Sequence, residues 1–145
     1  MNNLPPHTFS TDDIEGKQYF SQYLKHNGYD HISIPDAIFC PYDIEAYKGG
    51  VRYIFELKNR PITSTRYGDS IIDSGKYNKL SKLDADVYIV NFFTDCFHIH
   101  RLDSFDEKQN HMCQKTNNWD RTKVARTLIS YKNKSTTRYE YIIYS

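Results

Sequence analysis

The sequence is short of the features that mark disulfide scaffolds, flexible linkers and metal ribbons. Its 145 residues include three cysteines, Cys40, Cys96 and Cys113, with no CxxC pair. An odd number of widely spaced cysteines indicates neither a disulfide framework nor a zinc ribbon, so we expect small core side chains there. The six glycines and five prolines form no linker, which indicates a single domain over residues 1–145.

Long apolar runs are also absent. No stretch approaches the roughly 20 residues of a membrane span. The first residues lack the basic and then apolar layout of a secretory signal peptide. We therefore expect a cytoplasmic protein with no membrane partner.

The charges are unevenly distributed, although the net charge is only +1. Residues 1–120 carry 13 lysines and arginines against 17 acids, whereas residues 121–145 carry six against one. A body rich in carboxylates with a basic C-terminal extension suits a polyanion as partner. A solvated outer face on the last strands explains the same charges equally well.

The pattern of apolar residues predicts an α/β domain, with a core over residues 10 to about 102. A Gly-Gly pair joins two of its strands as a hairpin, and Gly16 on the first helix would allow close approach to a sheet. Residues 103–121 are predicted to be loop, followed by a helix or strand from Lys123 and a final strand. The expected core elements are a helix at about 10–28, strands at 30–40, 42–47 and 51–58, a helix from 70 or 74 to 83, and strands at 86–93 and 96–102.

Two carboxylates are predicted to face each other across the hairpin. Alternation along the third strand puts Glu56 and Lys58 on one face. If Gly49 and Gly50 form the two-residue loop, the register places Asp43 opposite Glu56. Like charges about 5 Å apart are destabilising unless a cation lies between them, and Mg²⁺ prefers such oxygen ligands. Lys58 is then placed to polarise an attacking water or to neutralise charge on a phosphorane.

The arrangement of Asp43, then Glu56-Leu57-Lys58 on the next strand, resembles the PD-(D/E)xK nuclease superfamily. The resemblance covers residues 10–102 and implies the restriction-endonuclease-like αβββαβ core, a mixed sheet flanked by helices. It implies a metal, Mg²⁺ or Mn²⁺, on Asp43 and Glu56, with Lys58 as the catalytic cation.

Two further residues are assigned to the site by the same resemblance. A first-helix glutamate often assists in these nucleases, which assigns that role to Glu15. Lys76 lies on the apolar side of the second helix, as in members whose post-motif helix carries a lysine into the site. The literal Pro35-Asp36 dipeptide lies upstream, so Asp36 replaces Asp43 as the ligand if the strands are shifted.

The resemblance implies a metal-dependent endonuclease that hydrolyses DNA phosphodiester bonds, and it leaves a homodimer open. The alternative is a non-catalytic nucleic-acid-binding or assembly module with a nuclease-like fold. A third hypothesis, an unrelated α+β interaction domain, applies if Asp43 and Glu56 lie on different faces.

Basic residues near the site and in the C-terminal extension are the candidates for contact with the nucleic-acid backbone. Near the site these are Arg52, Arg60 and Arg66. In the extension they are Arg121, Lys123, Arg126, Lys132, Lys134 and Arg138, with Tyr131 and Tyr139.

His98 and His100 alternate on one strand. Their spacing with Cys96, His111 and Cys113 fits no standard zinc site, so a polar outer face is expected for the two histidines.

Overall fold

The structure, a computed structural model, describes residues 13–36, 40–104, 109–116, 123–132 and 137–144. Six strands form a mixed sheet in the order β1-β2-β3-β5-β6-β9, and three form a second sheet in the order β4-β8-β7. Among the described strands, β3 and β5 pair in parallel and the other neighbours pair antiparallel. The elements are α1 Asp13–His26, β1 Asp30–Ser33, β2 Ile44–Lys48, β3 Val51–Asn59, β4 Asp69–Asp73, α2 Ser74–Ser81, β5 Asp86–Phe92, β6 Phe97–Arg101, β7 Gln109–Thr116, β8 Lys123–Lys132 and β9 Thr137–Tyr139.

The β2–β3 hairpin turns at two glycines in the left-handed region. Gly49 has a φ of 59° and Gly50 a φ of 79°, and glycine adopts such angles without the steric cost of a side chain. The turn sets Lys48 opposite Val51 and fixes the register of both strands. The predicted hairpin and its register are confirmed.

The apolar side of α1 packs on one face of the six-stranded sheet. Tyr19, Phe20 and Leu24 are fully buried there, and the Phe20 ring lies 5.1 Å from the ring of Phe55 on β3. Burying a large apolar side chain stabilises the fold by about 1.5–3 kcal/mol, so this aromatic layer is a main source of stability.

Helix α2 packs on the opposite face of the sheet. It begins after Asp73, whose carboxylate accepts hydrogen bonds from the backbone N–H of Gly75 at 2.9 Å and of Lys76 at 3.4 Å. Such a cap satisfies donors that the first helical turn leaves open. Leu80 then packs with Ile54 and Ile89 from the sheet. The predicted α/β class and the αβββαβ core are confirmed.

The segment after β9 covers α1. The Tyr19 hydroxyl donates to the carbonyl of Ile142 at 2.8 Å and accepts from its N–H at 2.9 Å. Tyr141 donates to the carbonyl of Phe93, and Tyr144 is buried with its ring 4.6 Å from that of His26. Residues 140–144 therefore complete the apolar layer begun by α1.

Strands β4 and β7 were not expected from the sequence. Ile72 shares a helical spacing with Leu80, but it lies on β4, where it pairs with Ile129 of β8. The predicted loop at 103–121 contains β7, because pairing with β8 over eight positions outweighs its polar composition. The sequence allows either a helix or a strand from Lys123, and the structure has strand β8 there. Strand β1 ends at Ser33 and is shorter than the expected 30–40.

The expected polar outer face for His98 and His100 is wrong. Their exposed fractions are 7% and 2%. Strand β6 is an inner strand, since β9 pairs with it at residues 97–99. The ring of Phe93 lies 5.1 Å from that of His98. Burial lowers the pKa of His98, since it disfavours the charged ring.

Gly16 is buried on α1, but it makes no unusually close approach. A methyl group added there would lie 3.7 Å from the Phe92 ring, which is an ordinary van der Waals distance. We expect Gly16→Ala to raise the free energy of unfolding by about 1 kcal/mol, because alanine loses less backbone entropy in a helix. Urea denaturation checks this, and a lower unfolding midpoint in the alanine variant would contradict it.

No helix within the described ranges is long and apolar enough to cross a membrane.

Candidate active site

Asp43, directly before β2, and Glu56 of β3 lie at the same end of the hairpin. The N–H of Asp43 donates to the carbonyl of Phe55 at 3.1 Å, so Asp43 lies beside Phe55, next to the last register pair of Ile44 and Phe55. The side chain of Asp43 is 20% exposed, whereas Glu56 is buried with 3% of its surface exposed. The carboxyls of the two acids interact, since the Asp43 charge helps to raise the pKa of Glu56, whereas the paired register ends at Ile44 and Phe55.

The two oxygens of Asp43 have different partners. Oδ2 accepts a hydrogen bond from the backbone N–H of Leu57 at 2.8 Å. Oδ1 lies 3.6 Å from Nζ of Lys17 on α1. The carboxylate is thus fixed to β3 on one side and paired with an ammonium group on the other.

Glu56 has two ammonium groups on one oxygen and no hydrogen-bond donor on the other. Oε2 lies 3.3 Å from Nζ of Lys58 and 3.5 Å from Nζ of Lys76. Oε1 is buried, and no described residue donates a hydrogen bond to it. Burial and the neighbouring Asp43 charge raise the pKa of Glu56 to about 7, although both lysines act in the opposite direction.

Lys17 was not predicted to lie at this site. It precedes Phe20 by three positions and Leu24 by seven, so it shares the apolar side of α1. A lysine at an apolar helical position is the same signal that singled out Lys76. That signal could have found Lys17 from the sequence.

Two other predicted site residues, Glu15 and Asp36, are exposed. Glu15 is exposed on α1, and among the described contacts it is Lys17 rather than Glu15 that reaches Asp43. Asp36 is exposed and lies outside the described strands. The structure therefore brings together Asp43, Glu56, Lys58 and Lys76, and adds Lys17.

The acid pair suits a hard divalent cation. Within the described ranges no cluster of three or more histidine, cysteine, aspartate or glutamate side chains is present, so protein carboxylates would supply two positions. Mg²⁺ commonly binds one or two carboxylates and fills its other positions with water and phosphate. The buried Oε1 of Glu56, which has no donor, fits such a ligand.

The arginines predicted near the site have intramolecular partners. Arg52 donates to Glu45 at 2.7 Å, and Arg60 donates to the Asn91 side chain at 3.1 Å and to a backbone carbonyl of β4. Arg66 is exposed, with its guanidinium 5.6 Å from the centre of the Tyr67 ring.

The structure describes four of the six basic residues of the C-terminal extension, three on β8 and one on β9. Lys123, Arg126 and Lys132 are on β8. Arg121 and Lys134 fall outside the described residues. Arg138 on β9 pairs with Glu140 at 3.0 Å.

The six-stranded mixed sheet with helices on both faces is the restriction-endonuclease-like arrangement expected from the sequence. A solved structure with a similar fold is that of Hjc, a Holliday junction resolvase from the archaeal hyperthermophile Archaeoglobus fulgidus. The TM-score is 0.53 at 12% sequence identity, over 85% of this chain and 90% of that chain. No protein-family model matches the sequence, and no curated protein matches it.

Proposed function

We propose that this protein is a metal-dependent endonuclease that hydrolyses phosphodiester bonds of DNA. The observation that carries the proposal is the Asp43 carboxylate, held by the N–H of Leu57 beside the buried Glu56, with the ammonium group of Lys58 3.3 Å from Glu56. Two neighbouring carboxylates, one of them buried, are costly when both are ionised, and a cation that binds both acids offsets that cost. The similarity to a Holliday junction resolvase supports DNA as the substrate class.

Asp43 and Glu56 would hold Mg²⁺ or Mn²⁺. When bound, such an ion is a Lewis acid that lowers the pKa of a coordinated water and neutralises charge on phosphate oxygens. The backbone N–H of Leu57 keeps Asp43 oriented toward Glu56. Burial of Glu56, which is 3% exposed, keeps bulk water away from its carboxylate.

Lys58 would stabilise the transition state directly. Its side chain is 37% exposed, so the ammonium group can turn from Glu56 toward a phosphate on the open side. A positive charge at that place stabilises a phosphorane more than the starting phosphodiester, because negative charge accumulates during attack. Lys76, at 29% exposure, would assist from α2.

The proposed activity requires residues that contact DNA. Arg66, with the exposed Tyr67 beside it, is the best placed of the predicted arginines for contact with DNA, since Arg52 and Arg60 are engaged within the protein. The single domain, the assistance of Glu15, the homodimer and the cytoplasmic location stay predictions.

The acid pair should bind Mn²⁺ in solution. We expect millimolar Mn²⁺ to raise the melting temperature of the wild-type protein, because a ligand that binds the folded state stabilises it by an amount that grows with the logarithm of the ligand concentration. Asp43→Asn should abolish this rise, measured by differential scanning fluorimetry. Asp36→Asn, which removes an exposed acid, is the matched control and should keep the rise. Loss of the rise in Asp36→Asn instead would identify Asp36 as the ligand.

Cleavage tests the activity itself. Plasmid and four-way-junction DNA, incubated with Mg²⁺ or Mn²⁺, should be cut by the wild-type protein and left intact by Asp43→Asn or by EDTA treatment. DNA binding without cleavage under all these conditions would favour the non-catalytic nucleic-acid-binding module.

The basic strand β8 is tested by the salt dependence of DNA binding. Replacing Lys123, Arg126 and Lys132 with glutamine should lower the slope of log affinity against log salt by about 0.9 for each phosphate that the protein no longer neutralises. Fluorescence anisotropy with a labelled duplex measures the slope. A control with the same change in net charge carries glutamine at Lys25, Lys48 and Lys82. Equal slopes for the two triple variants would show that β8 merely presents a solvated face.

A further inference from the structure

Lys17 occupies a position that the proposed nuclease chemistry leaves unexplained. Its ammonium group lies 3.6 Å from Asp43 Oδ1, and both side chains are 20% exposed. The other oxygen of Asp43 already accepts a hydrogen bond from Leu57. A divalent cation that binds Asp43 therefore shares this carboxylate with Lys17.

The charges around the acid pair make this sharing unfavourable. Lys17, Lys58 and Lys76 supply three ammonium groups, against the two carboxylates of Asp43 and Glu56. With all five groups ionised, the cluster carries one net positive charge, and a bound divalent ion adds two more. Repulsion at these short distances weakens metal binding unless an anion also enters.

A phosphodiester group is such an anion. Lysine has a long, flexible stem, so the Lys17 ammonium can leave Asp43 for a phosphate oxygen without movement of α1. Its partial exposure gives that ammonium access to the open side of the site. The metal brings positive charge and the phosphate brings negative charge, so binding of either one would favour binding of the other.

We propose that Lys17 is a positioning residue that couples metal binding to nucleic-acid binding. It holds the Asp43 carboxylate in the absence of metal, and it pairs with a backbone phosphate when metal takes that carboxylate. The inference rests on the proposed metal site at Asp43 and Glu56. Thermodynamic reciprocity requires that metal raise DNA affinity by the same factor by which DNA raises metal affinity.

The first experiment measures Mn²⁺ affinity without DNA, from the electron paramagnetic resonance signal of free Mn²⁺. We expect Lys17→Met to bind Mn²⁺ about tenfold more tightly than the wild type, because one competing positive charge is gone. Lys17→Arg keeps the charge and should bind like the wild type. Lys25→Met removes an exposed lysine from the same helix and should also match the wild type.

The second experiment measures duplex affinity by fluorescence anisotropy, with and without Mn²⁺ at constant ionic strength. The wild type and Lys17→Arg should gain more affinity on addition of Mn²⁺ than Lys17→Met gains. A duplex with neutral methylphosphonate linkages should show no such difference between the proteins, since it lacks the phosphate charge.

The outcomes separate this inference from the proposed function. If Asp43→Asn does not weaken Mn²⁺ binding, the metal site itself is wrong. If Asp43→Asn abolishes binding while Lys17→Met has the wild-type Mn²⁺ affinity and the wild-type gain in DNA affinity, the metal site stands and the role of Lys17 is overturned. Circular dichroism of each variant shows whether it is folded, and Lys17→Gln provides a second neutral variant if Lys17→Met is not.

Discussion

Replacing Lys58 with methionine is expected to lower the rate of DNA cleavage by about a hundredfold or more, because removing one preorganised charge stabiliser from an active site has effects of this size. Binding of the uncleaved duplex should change by only about threefold, since one phosphate contact contributes little to total affinity. The reason is that Lys58 acts on charge that develops during attack on phosphorus.

Single-turnover cleavage and anisotropy on the same duplex separate the two effects. Lys79→Met, which removes an exposed lysine from α2, is the control and should cleave at the wild-type rate. The cleavage rate of Lys76→Met should lie between that of Lys58→Met and that of the wild type. Wild-type cleavage by Lys58→Met would remove the catalytic assignment, and an equal reduction of binding and cleavage would make Lys58 a binding residue.

Glu56→Gln is expected to stabilise the metal-free protein above neutral pH. The pKa of Glu56 rises from 4.5 to about 7 on folding, which corresponds to about 3 kcal/mol of destabilisation once the carboxylate is ionised. For an acid with a raised pKa, the folded state keeps its proton longer than the unfolded chain. Stability is therefore full below about pH 4.5 and declines as pH rises toward 7.

The test is urea denaturation of both proteins in EDTA at pH 4.5 and pH 8. Glu56→Gln should gain about 3 kcal/mol at pH 8 relative to its difference from wild type at pH 4.5. Glu15→Gln, which changes an exposed acid on α1, should show no such difference. If the gain at pH 8 is absent, burial does not impose the expected cost on the Glu56 charge.

The hairpin shows what local sequence determines. Gly49 and Gly50 permit the left-handed turn, the turn fixes the register, and the register sets Ile44, which follows Asp43, against Phe55, which precedes Glu56. Each step depends on residues within about ten positions, so the acid pair could be predicted. Lys76 was found because an ammonium group on an apolar helical side is conspicuous in the sequence.

The missed features depend on partners that are distant in the chain. Strand β4 pairs with β8, more than 50 positions later, and its own five residues also fit the start of a helix. Strand β9, about 40 positions after His98, pairs with β6, so an apparent edge strand is an inner one, and His98 on it is buried. Lys17 carries the same sequence signal as Lys76, but its pairing with Asp43 also depends on how α1 lies against the sheet.

The hydrogen bonds between Tyr19 and Ile142 join groups 123 positions apart in the chain. During synthesis, α1 and the strands through β6 emerge before the segment that covers them. The rings of Tyr19, Tyr23 and Phe97 would then be exposed on the nascent chain, and such surface binds chaperones or aggregates. Contacts of this sequence separation also slow folding, because a long loop must close before they form. The tyrosines at 139–144 thus determine how late in translation the aromatic layer can become native.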